Sequence, residues 1–106
     1  MKTTAIYEGE AINVYAVDLC HYGDRGDYEV FPDRELRLDV TRYADDLAAA
    51  GYRVEYVDAE VSIFRDNADT EFTMYPDGRL ILENLRPGSI EQAFDVAALI
   101  MGFERK

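Results

Sequence analysis

Between Tyr52 and Leu85 the chain alternates apolar and polar residues in four short runs, each broken by turn-forming residues. Tyr52-Arg53-Val54-Glu55-Tyr56-Val57-Asp58 has the two-residue period of a half-buried strand. Glu60–Arg65, containing Val61, Ile63 and Phe64, predicts a second strand, and Asn67-Ala68-Asp69 a turn after it. Thr70–Tyr75 predicts a third. Pro76-Asp77-Gly78 marks a tight hairpin, because proline presets φ and glycine accepts the positive φ that such turns require. Arg79–Leu85 is the fourth. Strands joined by connections this short pair only as neighbours running in opposite directions, so they predict an antiparallel meander.

The period changes on either side of that block. Asp39 stands where it can cap a helix whose Val40, Tyr43, Ala44 and Leu47 fall at i, i+3, i+4 and i+7. Gly51 supplies the stop. A second helix follows Pro87-Gly88, where Ser89 and Gln92 have capping-box spacing. Its apolar stripe is Ile90, Ala93, Phe94, Ala97, Ile100 and Met101, and Gly102 ends it. Both helices are amphipathic and should lie on one face of the sheet. In the N-terminal third, Thr3–Tyr7 predicts a strand. Ala11–Leu19 fits either a helical face through Ala11, Tyr15 and Leu19 or a strand through Ile12, Val14, Tyr15 and Val17; the β-branched content favours the strand. Cys20–Asp27, polar and carrying Gly23 and Gly26, predicts a loop, and Tyr28–Phe31 and Glu35–Leu38 predict short extended pieces around Pro32. The expected fold is therefore α+β, an antiparallel meander sheet with two helices packed on one face, in the order β-β-loop-α-β-β-β-β-α.

Length and charge narrow the functions that such a fold can serve. A chain of 106 residues, 48% hydrophobic, suits a single domain with one core and needs no metal or disulfide to hold it together. Cys20 is the one cysteine, so a disulfide framework is excluded. No apolar run is long enough to span a bilayer and no leader pattern opens the chain, which sets the expectation of a soluble cytoplasmic protein. Asp and Glu number 22 against 11 Lys and Arg, a net charge of -11. Long-range repulsion at that charge disfavours nucleic acid and anionic membranes as partners, since the arginines are scattered along the chain. The surplus carboxylates keep the protein soluble.

Few residues are spaced for chemistry. Cys20 and His21 are sequence neighbours, and on an extended chain neighbours point to opposite sides, so the imidazole is badly placed to activate the thiol. His21, Asp24 and Asp27 recur at three-residue spacing and make a candidate divalent-metal trio, although three ligands under-coordinate a hard cation. No phosphate-binding glycine loop, serine nucleophile elbow or metalloprotease signature is present, and nothing calls for a cofactor. The eight tyrosines matter more. Alternation within the meander should send some aromatics to the face away from the helices, and Tyr52, Tyr56, Phe64 and Tyr75 are the candidates for a binding surface there. The resulting expectation is a noncatalytic interaction domain that meets a protein partner, or a second copy of itself, through a sheet face or edge.

Glu71-Phe72-Thr73-Met74-Tyr75-Pro76-Asp77-Gly78-Arg79-Leu80-Ile81, with the helix Ser89–Gly102 behind it, resembles the C-terminal tail of ThiF/MoeB-type adenylyltransferases. Those enzymes activate ubiquitin-like sulfur carriers, and their tails carry a similar strand, Asp-Gly-Arg turn, strand and helix. The likeness covers Glu71–Gly102. Glu83-Asn84-Leu85 stands where the tails place Gly-Thr, Ala98–Met101 lacks their terminal tyrosines, and the family's nucleotide-binding domain has no counterpart in this chain. What the resemblance implies is an accessory role in sulfur-carrier or cofactor biosynthesis, without adenylation.

Overall fold

A computed structural model describes residues 1–105. The strands β1 (Lys2–Tyr7), β2 (Glu10–Tyr22) and β3 (Arg25–Pro32) come first, followed by helix α1 (Val40–Ala49). Strands β4 (Arg53–Val57), β5 (Ser62–Arg65), β6 (Glu71–Met74) and β7 (Leu80–Leu85) are the expected meander, and α2 (Ile90–Met101) leads into a two-residue β8 (Glu104–Arg105). All eight strands share one antiparallel sheet in the order β4-β5-β6-β7-β3-β2-β1-β8. The fold is α+β, as its pattern predicted, with two further strands, β3 and β8, in the element order.

The segment expected as a loop, Cys20–Asp27, is the tip of a long hairpin. β2 continues to Tyr22, Gly23-Asp24 make the turn, and Arg25 opens β3. Gly23 takes φ +63 there, a conformation that glycine adopts without penalty. A bulge between Asp18 and Cys20 breaks the two-residue period and hides the strand from a reading of alternation. Gly26 has its own reason to be glycine: a Cβ would lie 2.8 Å from the Tyr28 ring. Glu35–Leu38 is not a strand, but the Leu36 and Leu38 amides donate to the Asp77 and Pro76 carbonyls at 2.9 and 2.8 Å, tying the segment to the β6–β7 turn.

Strand register shows why one face alone is covered. Val14, Ala16, Tyr28, Val30, Leu80, Leu82, Phe72, Met74 and Phe64 are buried, and the ladders Ala16↔Val30, Val30↔Leu80, Tyr28↔Leu82, Leu82↔Phe72 and Phe72↔Phe64 set them side by side on the same face. α1 packs on β4 and β5, and α2 on β2, β3 and β7. Val40, Ala44 and Leu47 are the buried positions of α1, and Ala93, Phe94, Ala97, Ile100 and Met101 those of α2. Phe64 and Phe72 stack at 5.0 Å, with Tyr52 edge-on to both at 5.7 and 6.0 Å. Each fully buried aromatic contributes about 1.5–3 kcal/mol through lost water contact, which makes this layer the main source of stability.

Both helix starts are capped. Asp39 accepts from the Arg42 amide at 3.2 Å and Ser89 from the Gln92 amide at 3.1 Å. Only half of the second capping box forms, since the Ser89 amide donates to the Pro87 carbonyl at 3.1 Å instead of to Gln92. Gly102 closes α2 in the left-handed conformation, φ +79.

Candidate functional site: the uncovered sheet face

Between the bulges, residues alternate with the core positions along the strands, so those between them emerge on the side that carries no helix. Three rows cross that face at right angles to the strands. In the middle row Val17, Glu29, Ile81, Thr73, Ile63 and Tyr56 each stand directly opposite the next, from β2 through β3, β7, β6 and β5 to β4. Val17 and Tyr56 are 43% and 51% exposed, while Ile63, Thr73 and Ile81 are half-buried by their neighbours alone. On one side lies an aromatic row. Tyr15 faces Phe31 with rings stacked at 5.6 Å, and the Arg79 guanidinium sits 4.4 Å above the Tyr75 ring, a cation–π contact.

On the other side lies a carboxylate row. Glu83 is paired with Glu71, and Glu71 with Arg65. Arg65 serves several acceptors: Glu71 at 2.9 Å, Glu55 at 3.3 Å and the Asp69 carbonyl at 3.3 Å. Among the described residues Glu83 is in no ion pair, although Arg65 lies near enough to act on it. Glu83 is exposed, but partial desolvation, and after it the negative charges of Glu71 and Asp27, push its carboxyl above the ordinary range, against a smaller opposing effect of Arg65. Asp27 closes the row. It accepts from the Tyr22 hydroxyl at 2.8 Å and from the Asn84 amide at 2.9 Å, and the first of these bonds raises the Tyr22 phenol. Asn84 adopts φ +64 where the β3–β7 register slips, which aims its amide at Asp27.

Strand parity divides the four aromatics expected on this face. Tyr56 and Tyr75 are there; the Tyr56 hydroxyl donates to Asp58 at 2.7 Å. Phe64 is fully buried on the helix side and Tyr52 packs against it, because the Val54↔Phe64 and Phe64↔Phe72 pairings place them in the core layer. Reading alternation gave the period of each strand but not which phase faced the helices. Tyr15, Phe31, Ile63, Ile81, Arg79 and Glu83 were consequently missed, although the apolar repeat of Leu80 and Leu82 around Ile81 already contained the phase.

The His21, Asp24 and Asp27 trio does not converge. Asp27 is taken up by Tyr22 and Asn84, Asp24 lies 3.3 Å from Arg86, and the His21 Nδ1 faces Asp18 at 3.8 Å and the Tyr28 hydroxyl at 3.5 Å. Three-residue spacing would gather side chains on a helix, but on a two-stranded hairpin it scatters them. Among the described residues no three His, Cys, Asp or Glu side chains are grouped to hold a metal ion. Cys20 is exposed opposite Asp27, while His21 stands opposite Gly26.

A separate cleft of about 460 Å³ lies between Tyr7, the Arg37–Asp39 segment and the start of α1. Arg37 and Arg42 line it together with Glu8, Asp39 and Asp46, so it selects neither sign of charge. The Tyr7 hydroxyl is 3.3 Å from that of Tyr43, and burial and that contact raise the Tyr7 phenol. No protein family, curated protein or solved structure matches this chain. No helix among the described residues is long and apolar enough to cross a membrane.

Proposed function

We propose that this chain is a noncatalytic interaction domain whose partner is a polypeptide seated on the uncovered sheet face. The observation that carries this reading is the middle row. Val17, Ile81, Ile63 and Tyr56 recur along it across five strand pairings, with Glu29 and Thr73 between them, on the face opposite the buried positions that the helices cover. Aromatic rings and guanidinium groups flanking an apolar band are the composition of protein interfaces. The surrounding ion pairs are fixed by the fold, which supplies orientation and specificity more than affinity. The net charge of -11 argues against a polyanionic partner.

Photo-crosslinking in cells tests this directly. A photoreactive residue at Ile81 is expected to link to a polypeptide, while the same residue at Leu99, 76% exposed on the outer side of α2, is not. Equal yields at the two positions would overturn the reading. Capture of a ThiF-like enzyme or its sulfur carrier at Ile81 would support the accessory role implied by the Glu71–Gly102 resemblance.

A further inference from the structure

Beyond the open face, we propose that the free edge of β2 pairs with the same edge of a second copy of this chain, joining the two sheets about a two-fold axis normal to them. β1 lies beside β2 only as far as Tyr15, and the Met1 and Ala16 backbones close that ladder with bonds of 3.0 and 3.1 Å. Val17–Tyr22 runs on with β3 on one side and, among the described residues, no strand on the other. Hydrophobic side chains collect along this stretch. Of the seven large ones exposed among the described residues, Met1, Val17, Leu19 and Tyr22 all lie here. An exposed strand edge of this composition is a template for another strand.

The bulge decides which strand fits. Ala16 turns its amide and carbonyl toward Met1, so Asp18, two residues on, turns its own to the same side. The two-residue turn Gly23-Asp24 makes Tyr22 and Arg25 a bonded pair, so His21 is the next residue whose backbone points to the free side. Side chains follow the same shift. Asp18 stands opposite Tyr28 and His21 opposite Gly26, both on the core side, while Val17, Cys20 and Tyr22 alternate with them on the open side. A two-fold normal to the sheet must set like faces opposite each other. One register does so along the whole stretch: Val17 opposite Tyr22, Asp18 opposite His21 and Leu19 opposite Cys20, with the axis between Leu19 and Cys20. Asp18 and His21 are then the bonded pair, twice over by symmetry, and Val17 packs on Tyr22. In an unbulged strand Asp18 and His21 would point to opposite faces and this register would not exist. Charge plays no part in the choice, since His21 already lies 3.8 Å from Asp18 of its own chain. The edge is complementary to itself through its backbone and its faces. Such an axis leaves both uncovered sheet faces on one side, so the dimer doubles the surface offered to a polypeptide.

Sedimentation equilibrium of the full chain, in salt high enough to screen the repulsion between two copies of charge -11, is expected to show a dimer. Leu19→Asp should weaken it about tenfold or more, since two carboxylates then flank the axis. Leu99→Asp makes the same change of charge at an exposed site on α2 and should leave dimerisation unchanged. The register has its own readout. In a Cys20→Ser background, Val17→Cys and Tyr22→Cys chains mixed under mild oxidant should form a disulfide-linked heterodimer. Neither should crosslink alone, because like positions lie roughly 15 Å apart across the axis. Circular dichroism checks that every variant folds. A chain that stays monomeric at every concentration, species larger than a dimer, or a Leu19→Asp variant that associates as well as Leu99→Asp would overturn the edge pairing. Single cysteine variants that crosslink as well as the mixture overturn the register. Crosslinking at Ile81 to another polypeptide is untouched by these results, so the open-face reading stands or falls separately.

Discussion

Gly88 lies where the chain leaves β7 and enters α2, with its amide donating to the Asp24 carbonyl at 2.7 Å. A methyl group there would fall 2.5 Å from the Arg25 carbonyl carbon, 2.7 Å from the Gly26 nitrogen and 2.8 Å from the Arg25 oxygen. Carbon atoms in contact need about 3.5–4.0 Å, so the entrance to α2 and the start of β3 would have to separate by roughly 1 Å. No side chain can rotate out of the way. The obstructing atoms are backbone, and Arg25 and Gly26 are held in the ladder by Tyr22, His21 and Leu85. Overpacking of this kind costs about 1–3 kcal/mol, and losing the Gly88–Asp24 hydrogen bond about 0.5–1.5 kcal/mol more. Gly88→Ala is therefore expected to destabilise the fold by about 2–4 kcal/mol, read as a drop of about 1–2 M in the urea midpoint at unchanged slope. Gly9→Ala is the control. Gly9 has φ +81 but open space around it, so its alanine variant carries only the left-handed penalty of about 1–2 kcal/mol. A Gly88→Ala midpoint no lower than that of Gly9→Ala would refute the close-approach account.

Two further substitutions probe the carboxylate row in dilute, monomeric protein. The Glu83 carboxyl is raised above its ordinary value of 4.5, so the native state disfavours its ionised form. That penalty is absent below about pH 4, appears as pH rises through the folded pKa, and is fully present at pH 7. Glu83→Gln is expected to raise the urea midpoint at pH 7 and leave it unchanged at about pH 4; the reverse ordering would contradict a carboxyl raised by desolvation and its acidic neighbours. Asn84→Ala removes the bonds that the side chain makes with Arg25 at 3.0 Å and the Asp69 carbonyl at 3.2 Å, and leaves alanine at φ +64. A loss of about 1–3 kcal/mol is expected from denaturant unfolding, and an unchanged midpoint would mean that the bulge does not depend on Asn84.

The meander and both helices were legible because local signals agreed with the global fold. Pro76-Asp77-Gly78 and the two helix caps mark boundaries that the structure keeps to within a residue or two. The β2–β3 hairpin was not legible, since its evidence lies in pairings across the chain. The bulge at Leu19 interrupts the alternation, Gly26 is required by the Tyr28 ring, and neither is visible without the partner strand. The same limit governed the site. An aromatic on the meander was recognisable as a surface candidate, but its face depends on which phase the helices cover. Phe64 and Tyr56 are both meander aromatics, yet one is in the core and the other, past the β4 bulge at Glu55, is on the open face. The carboxylate row has no sequence signature at all, because Asp27, Glu83, Glu71 and Glu55 come from four strands that register alone brings together.

Solvent access to side-chain methyls, read by NMR with a soluble paramagnetic probe, addresses the open face most directly. In dilute protein the methyls of Val17, Ile63, Ile81 and Leu99 should all be broadened by the probe. On association, those of Val17, Ile63 and Ile81 should become shielded together while Leu99 on α2 stays accessible. Shielding of Leu99 with the three sheet-face methyls still exposed would place the interaction surface on the helices and contradict the account.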